Sequence, residues 1–169
     1  MLYFSYAANL NRSHMARLCP GAEPLYSAVL ADYTLTVRRW FNVERGEGSL
    51  VYGGVWRIGE RHLEKLDWYE DWPELYEKRT VEVIPVKHGS LGAWEQGRRT
   101  VNIVSEYIGV GENAEHLLAL SGPVKCLVYI MKEPFVIPPS PPDPEYLEMV
   151  RQGYRDWGLP GEQLDSFLD

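Results

Sequence analysis

Short apolar runs with the composition of β-strands recur along the whole chain, and they constrain its fold more than any other feature. The predicted strands are 2–6, 25–30, 33–40, 51–58, 80–86, 100–108 and 125–131. Helical patterns are fewer, and they predict helices at 11–18, 60–70, 111–121, 145–157 and 161–168. Several strands with few helices predict an α+β fold built on a mostly antiparallel or mixed sheet.

Glycines, prolines and polar residues mark the predicted ends of these elements. The stretch ERGEGS at 44–49 predicts a loop, and Asn9 is predicted to cap the helix at 11–18. Gly53-Gly54 predicts a bulge or a close backbone approach, and Pro85 predicts an edge strand. The proline cluster at 134–144 excludes regular helix. No repeat or flexible linker interrupts the chain, so residues 1–169 are predicted to form a single domain.

Charge and hydropathy argue against several classes of partner. The net charge is −7 and no basic stripe is present, which argues against nucleic acid and anionic membranes. No apolar run approaches the roughly 20 residues of a membrane helix, and no positive segment precedes the first apolar stretch. We therefore expect a cytoplasmic protein in which Cys19 and Cys126 are free thiols.

Signatures of metal and cofactor sites are missing from the sequence. The four histidines never pair at i, i+4, and no C-x-x-C occurs, which argues against a metal site. No G-x-G-x-x-G, phosphate-binding loop or G-x-S-x-G elbow is present. The prediction is a site that needs no cofactor and no metal.

Acidic and aromatic residues alternate in the stretch LDWYEDW at 66–72, at the end of a predicted helix. A carboxyl group held among Trp and Tyr side chains loses hydration, which raises its pKa and suits a general base working near neutrality. The alternative is that Asp67, Glu70 and Asp71 form a solvated acidic edge.

The opening stretch YAANL at 6–10 joins a strand to a helix through small residues. Such a turn presents several backbone N–H groups in one direction, where they can bind a carboxylate or a developing oxyanion. The alternative is a packed turn in which Asn9 only caps the helix.

Taken in order, the motifs resemble those of the γ-glutamylcyclotransferase family. Residues 3–10 (YFSYAANL) resemble its Y-F-A-Y-G-S-N-L/M opening, 53–56 (GGVW) its G-x-V-(W/Y) strand, and 66–70 (LDWYE) its L-D-x-x-E segment. Residues 140–146 (SPPDPEY) and 158–160 (GLP) are similar to its P-S-x-x-Y…G-L-P tail. The resemblance covers most of 1–86 and 125–165, and 87–124 is predicted to be a divergent insert.

This resemblance implies a barrel-like sheet with flanking helices and release of 5-oxoproline from a γ-glutamyl peptide, such as glutathione, or a γ-glutamyl amine. It implies Glu70 as the catalytic acid and base. It also implies eight substrate-binding residues: Tyr3, Phe4, Ser5, Tyr6, Ala7, Ala8, Asn9 and Tyr146. The family's Gly-Ser is Ala7-Ala8 here. Alanine keeps the backbone donors but supplies neither a glycine-only conformation nor a hydroxyl.

Two other classes of function remain open at this level. The chain could be a non-catalytic protein that binds a small ligand on the same scaffold. Alternatively, its 6 tryptophans and 11 tyrosines could form an interface with a protein partner. Either a monomer or a homodimer is compatible with the sequence.

Overall fold

A computed structural model describes residues 1–86 and 122–167. Its strands are β1 (Leu2–Ser5), β2 (Glu23–Arg38), β3 (Trp40–Arg57), β4 (Tyr76–Pro85) and β5 (Val124–Met131). Its helices are α1 (Arg12–Leu18), α2 (Glu60–Tyr69) and α3 (Pro144–Trp157), with 3₁₀ helices at Ala8–Leu10 and Gly161–Phe167. The predicted strand 100–108, the predicted helix 111–121 and nearly all of the predicted insert lie outside the described residues.

The five described strands close into a barrel in the order β1-β3-β2-β4-β5. β1 runs parallel to β5 and antiparallel to β3, while the other described neighbours are antiparallel. The predicted α+β fold with a mixed, barrel-like sheet is therefore confirmed. The prediction from Pro85 is wrong, because β4 pairs with β2 on one side and with β5 on the other, and Pro85 lies opposite Ala28 at its end.

β2 and β3 form one long hairpin where the sequence predicts two short strands, a loop and a third strand. The predicted loop at 44–49 is wrong, because Glu44 and Arg45 pair with Thr34 and Tyr33 of β2. Cross-strand pairing satisfies the backbone hydrogen bonds whatever the side chains are, so a polar ribbon can continue as strand. The hairpin turns at Arg39, whose N–H donates to the carbonyl of Ser140 at 3.0 Å.

Gly53 and Gly54 confirm the predicted close approach of the β3 backbone. A methyl group on Gly53 would overlap the Ser5 carbonyl oxygen and the Phe4 ring, and one on Gly54 would overlap the Trp157 ring. These two glycines therefore let β3 lie directly against β1 and the end of α3.

Helix α3 is tied to the opening segment of the chain. It begins after the cap Asp143 and ends at Gly158, which is in the left-handed conformation. The indole N–H of Trp157 donates to the Leu10 carbonyl at 2.8 Å. This contact ties the last turn of α3 to the 3₁₀ helix that follows β1, while Tyr146 lies in the first turn of α3.

No helix among the described residues has both the length and the apolar character needed to cross a membrane. Cys19 and Cys126 are free and buried, as expected.

Candidate active site

One cavity of about 180 Å³ lies where the opening segment, the hairpin turn and the end of α2 meet. Residues of β4, β5 and α3 complete its wall. Its lining is rich in aromatic rings: Tyr3, Tyr6, Ala7, Ala8, Asn9, Trp40, Phe41, Tyr69, Glu70, Asp71, Leu75, Tyr76, Tyr129 and Tyr146.

The opening segment provides backbone donors at one side of the cavity. β1 ends at Ser5, and the 3₁₀ helix that follows begins at Ala8 with Ala7 as its cap. Its first hydrogen bond runs from the Leu10 N–H to the Ala7 carbonyl at 2.9 Å, and Ala7 offers no side-chain acceptor. The N–H groups of Ala8 and Asn9 therefore precede the hydrogen-bonded turn. Neither Ala7 nor Ala8 has a positive φ, the left-handed region that favours glycine.

Asn9 does not cap α1, and that prediction is wrong. Asn11 is the cap, because α1 begins at Arg12 and the Asn11 Oδ1 accepts from the His14 N–H at 2.9 Å. Asn9 instead turns inward and is only 3 % exposed. Its Nδ2 donates to Glu70 Oε1 at 2.7 Å and to the Tyr3 hydroxyl oxygen at 2.9 Å. Its Oδ1 is buried and has no protein partner among the described residues.

Glu70 lies at the C-terminal cap of α2, with its backbone N–H on the Leu66 carbonyl at 2.8 Å. Burial raises the pKa of its carboxyl to about 8; the Asn9 hydrogen bond lowers it and the neighbouring Asp71 raises it. The carboxyl is therefore protonated over most of the neutral range, yet close to the point at which it ionises. A group with this proton affinity can accept and return a proton near neutral pH.

Tyrosines from several elements, rather than the tryptophans of the 66–72 stretch, surround Glu70 in the cavity. Trp68 is 77 % exposed and points away from the cavity, whereas Tyr3, Tyr6, Tyr76 and Tyr129 are buried. Burial raises the pKa of each of these tyrosines, and the Glu70 carboxyl raises it further. They are therefore neutral hydroxyl groups throughout the physiological range.

Hydrogen bonds hold the cavity wall in place. The Tyr6 hydroxyl donates to the Tyr129 carbonyl at 2.8 Å, and the Tyr129 hydroxyl donates to Asp67 Oδ1 at 2.6 Å. Asp67 is also paired with Lys78 at 2.9 Å. The Tyr146 hydroxyl accepts from the Phe41 N–H at 3.1 Å. Of the three acids in the predicted cluster, Asp67 is a partly buried ion-pair partner, whereas Glu70 and the exposed Asp71 both line the cavity.

The structure brings together seven of the nine residues predicted for the site: Glu70, Tyr3, Tyr6, Ala7, Ala8, Asn9 and Tyr146. Phe4 and Ser5 are not among the lining residues. The Phe4 ring is fully buried against Gly53, and the Ser5 hydroxyl accepts from the Trp56 indole N–H at 3.1 Å. Successive residues of a strand point to opposite sides, so Phe4 faces away from Tyr3, while the buried Ser5 side chain is taken up by its hydrogen bond with Trp56.

Seven lining residues were missed by the sequence analysis: Trp40, Phe41, Tyr69, Asp71, Leu75, Tyr76 and Tyr129. Tyr69 and Asp71 flank Glu70 in the sequence, so the acidic and aromatic stretch at 66–72 could have indicated that they line the same cavity. Tyr76 and Tyr129 reach the cavity through the pairing of β4 with β5. Trp40 and Phe41 reach it through the hairpin turn, and no local pattern marks either pair.

Groups of three or more His, Cys, Asp or Glu side chains that could hold a metal ion do not occur within 1–86 and 122–167. The donors in the cavity are hydroxyl, amide and backbone N–H groups together with one buried carboxyl. This set suits a small polar organic ligand with an anionic or carbonyl group.

The fold and the cavity together define a class of small α+β barrel proteins that hold a carboxyl group in an aromatic pocket beside a strand-to-helix turn. A family model described as "Gamma-glutamyl cyclotransferase, AIG2-like" matches residues 3–102. The chain belongs to this family. No curated protein sequence matches it significantly.

Solved structures with the same fold share little sequence with this chain. A structure titled "Gamma-glutamyl cyclotransferase" is 21% identical with a TM-score of 0.68, covering 99% of this chain and 85% of the other. The uncharacterized protein LOC79017 from Homo sapiens is 21% identical, with a TM-score of 0.67 and coverage of 98% and 85%. YkqA from Bacillus subtilis is 17% identical, with a TM-score of 0.63 and coverage of 98% and 52%. At these identities the likeness shows the fold.

Proposed function

We propose that this protein is a γ-glutamylcyclotransferase-type enzyme that releases 5-oxoproline from a γ-glutamyl peptide or γ-glutamyl amine. The observation that carries the proposal is the position of Glu70. Its carboxyl lies in an aromatic cavity beside the Ala7–Asn9 turn, with a pKa raised to about 8 by burial. Membership of the cyclotransferase family supports the same reaction class.

In the proposed reaction the nucleophile belongs to the substrate. The ionised form of Glu70 takes a proton from the substrate's α-ammonium group, and the free amine attacks the γ-carbonyl carbon of the same molecule. A carbon–nitrogen bond forms to close the five-membered ring, and the bond from that carbon to the leaving amine breaks. Glu70 then gives this proton to the leaving nitrogen and takes up the second proton, which the ring nitrogen loses as the lactam forms. That second proton departs with the released amine as ammonium and leaves Glu70 ionised, so one carboxyl serves as base and as acid.

The cavity supports this reaction by its size and its donors. A protein cavity of about 150 Å³ accommodates benzene, so 180 Å³ suits a folded glutamyl group. The N–H groups of Ala8 and Asn9 would receive the glutamyl carboxylate or the developing oxyanion, and Tyr146 would close the pocket. Holding a ring-closing conformer can account for roughly 7–11 kcal/mol of the barrier in the best cases.

The test is release of 5-oxoproline from a panel of γ-glutamyl amino acids, γ-glutamyl amines and glutathione. We expect turnover of at least one class and its loss in Glu70→Gln. Glu64→Gln makes the same chemical change at an exposed position of α2, and it is the matched control. Full activity of Glu70→Gln would refute the mechanism. If nothing is turned over but 5-oxoproline raises the Tm, the protein is instead a small-ligand binding protein.

A further inference from the structure

We propose that Asn9 is a positioning residue that gives the two oxygens of Glu70 different roles. Its amide occupies Oε1, so that proton exchange with the substrate takes place at Oε2. This inference rests on the proposed function, because it assigns a part of that reaction. It gives the Asn9 side chain a role through Glu70, while the backbone N–H of Asn9 keeps the contact with substrate proposed above.

The first support is the geometry of the Asn9 amide. A side-chain NH₂ group has two hydrogens, and both are used, one on Glu70 Oε1 and one on the Tyr3 hydroxyl oxygen. With two acceptors on different elements, the amide can lie in only one orientation. Asn9 is itself buried, so water does not compete for these bonds. No hydrogen bond from the described residues reaches Oε2 of Glu70.

The second support is the unpaired Oδ1 of Asn9. This atom is buried without a partner, which ordinarily costs about as much as a hydrogen bond contributes. An asparagine at this position is therefore less favourable for stability than an apolar side chain of similar size would be. Its presence is explained if the position requires a donor toward Glu70, and the unpaired acceptor is the consequence.

The third support is the set of groups that face Glu70. The tyrosines around it are neutral and come from the opening segment, α2, β4, β5 and α3: Tyr3, Tyr6, Tyr69, Tyr76, Tyr129 and Tyr146. The adjacent charge is Asp71, which has the same sign as ionised Glu70. No Lys, Arg or His of the described residues lines the cavity. Asn9 is thus the described side chain that favours the ionised form by hydrogen bonding.

The test compares Asn9→Leu, which fills a similar volume without a donor, with the unchanged protein. We expect the midpoint of the acid limb of kcat to move upward by about one pH unit or more. At pH 7 kcat should then fall about tenfold, recover toward the new midpoint, and leave KM nearly unchanged. Asn9→Asp is the second variant, and its added carboxylate should raise the midpoint as well. Asn11→Leu removes the cap of α1, so it should lower the Tm without moving the midpoint.

A direct titration separates this inference from the proposed function. The Glu70 carboxyl is followed by ¹³C NMR without substrate and assigned by its loss in Glu70→Gln. A titration midpoint of Glu70 that rises in Asn9→Leu and Asn9→Asp supports the proposed hydrogen bond from Asn9 to Glu70, even if no substrate is turned over. An unchanged midpoint in either folded variant overturns the inference. An increase in KM at constant kcat in these variants also overturns the inference, because it would mean that the Asn9 side chain contacts the substrate itself.

Discussion

Replacing Glu70 with glutamine should make the protein more stable at alkaline pH while removing the proposed catalytic group. The folded carboxyl has a pKa of about 8 against an ordinary value of 4.5. At a pH between these two pKa values, Glu70 has lost its proton in the unfolded chain and keeps it in the folded chain. Because the folded state binds more protons, the free energy of unfolding must fall as the pH rises from about 4.5 to 8.

The size of the effect follows from the same two values. The wild-type free energy of unfolding falls by at most about 1.4 kcal/mol for each pH unit in that window. Glutamine does not ionise, and its side-chain carbonyl oxygen can still accept the hydrogen bond from Asn9. Glu70 is only half-buried, so solvent screening keeps the whole effect below this maximum. We therefore expect Glu70→Gln to exceed the wild type by roughly 2–3 kcal/mol at about pH 9, with little difference near pH 5.

Urea unfolding followed by tryptophan fluorescence, at about pH 5, 7 and 9, measures this difference. Glu64→Gln on the exposed side of α2 should follow the wild type at every pH. A Glu70→Gln curve that stays parallel to the wild type across the pH range would refute the reasoning. It would mean that the Glu70 carboxyl titrates in the folded protein much as it does in the unfolded chain.

Three further outcomes are expected. Asp71→Asn removes a like charge beside Glu70, so the acid limb of the pH–rate profile should move to lower pH. Gly53→Ala places a methyl group on the Ser5 backbone carbonyl, and it should lower the free energy of unfolding by about 1–3 kcal/mol in urea titrations. Gln163→Ala removes three hydrogen bonds that tie the C-terminal 3₁₀ helix to β3 and α3, and it should lower the Tm, with a loss of about 1–3 kcal/mol. Wild-type stability in either of the last two variants would contradict the packing described here.

Much of the fold could be predicted because the deciding signals are local. Short apolar runs identified parts of β1 to β5, and the helix predicted at 145–157 is α3, which begins one residue earlier, at Pro144. Local signals failed where pairing decides conformation. The residues 44–49 have a loop composition, yet they lie in β3 because β2 supplies their hydrogen-bonding partners.

The candidate site shows the same division. The sequence alone determined the order of the motifs, the acidic and aromatic stretch around Glu70, and the small residues at positions 7 and 8. Only the tertiary structure decided which acid lies among the tyrosines of the cavity, since those around Glu70 come from strands and helices far apart in the chain. It also turned Asn9 from an expected helix cap into the amide that holds the Glu70 carboxyl. Burial and hydrogen bonding depend on neighbours across the barrel, and no short stretch of sequence specifies those neighbours.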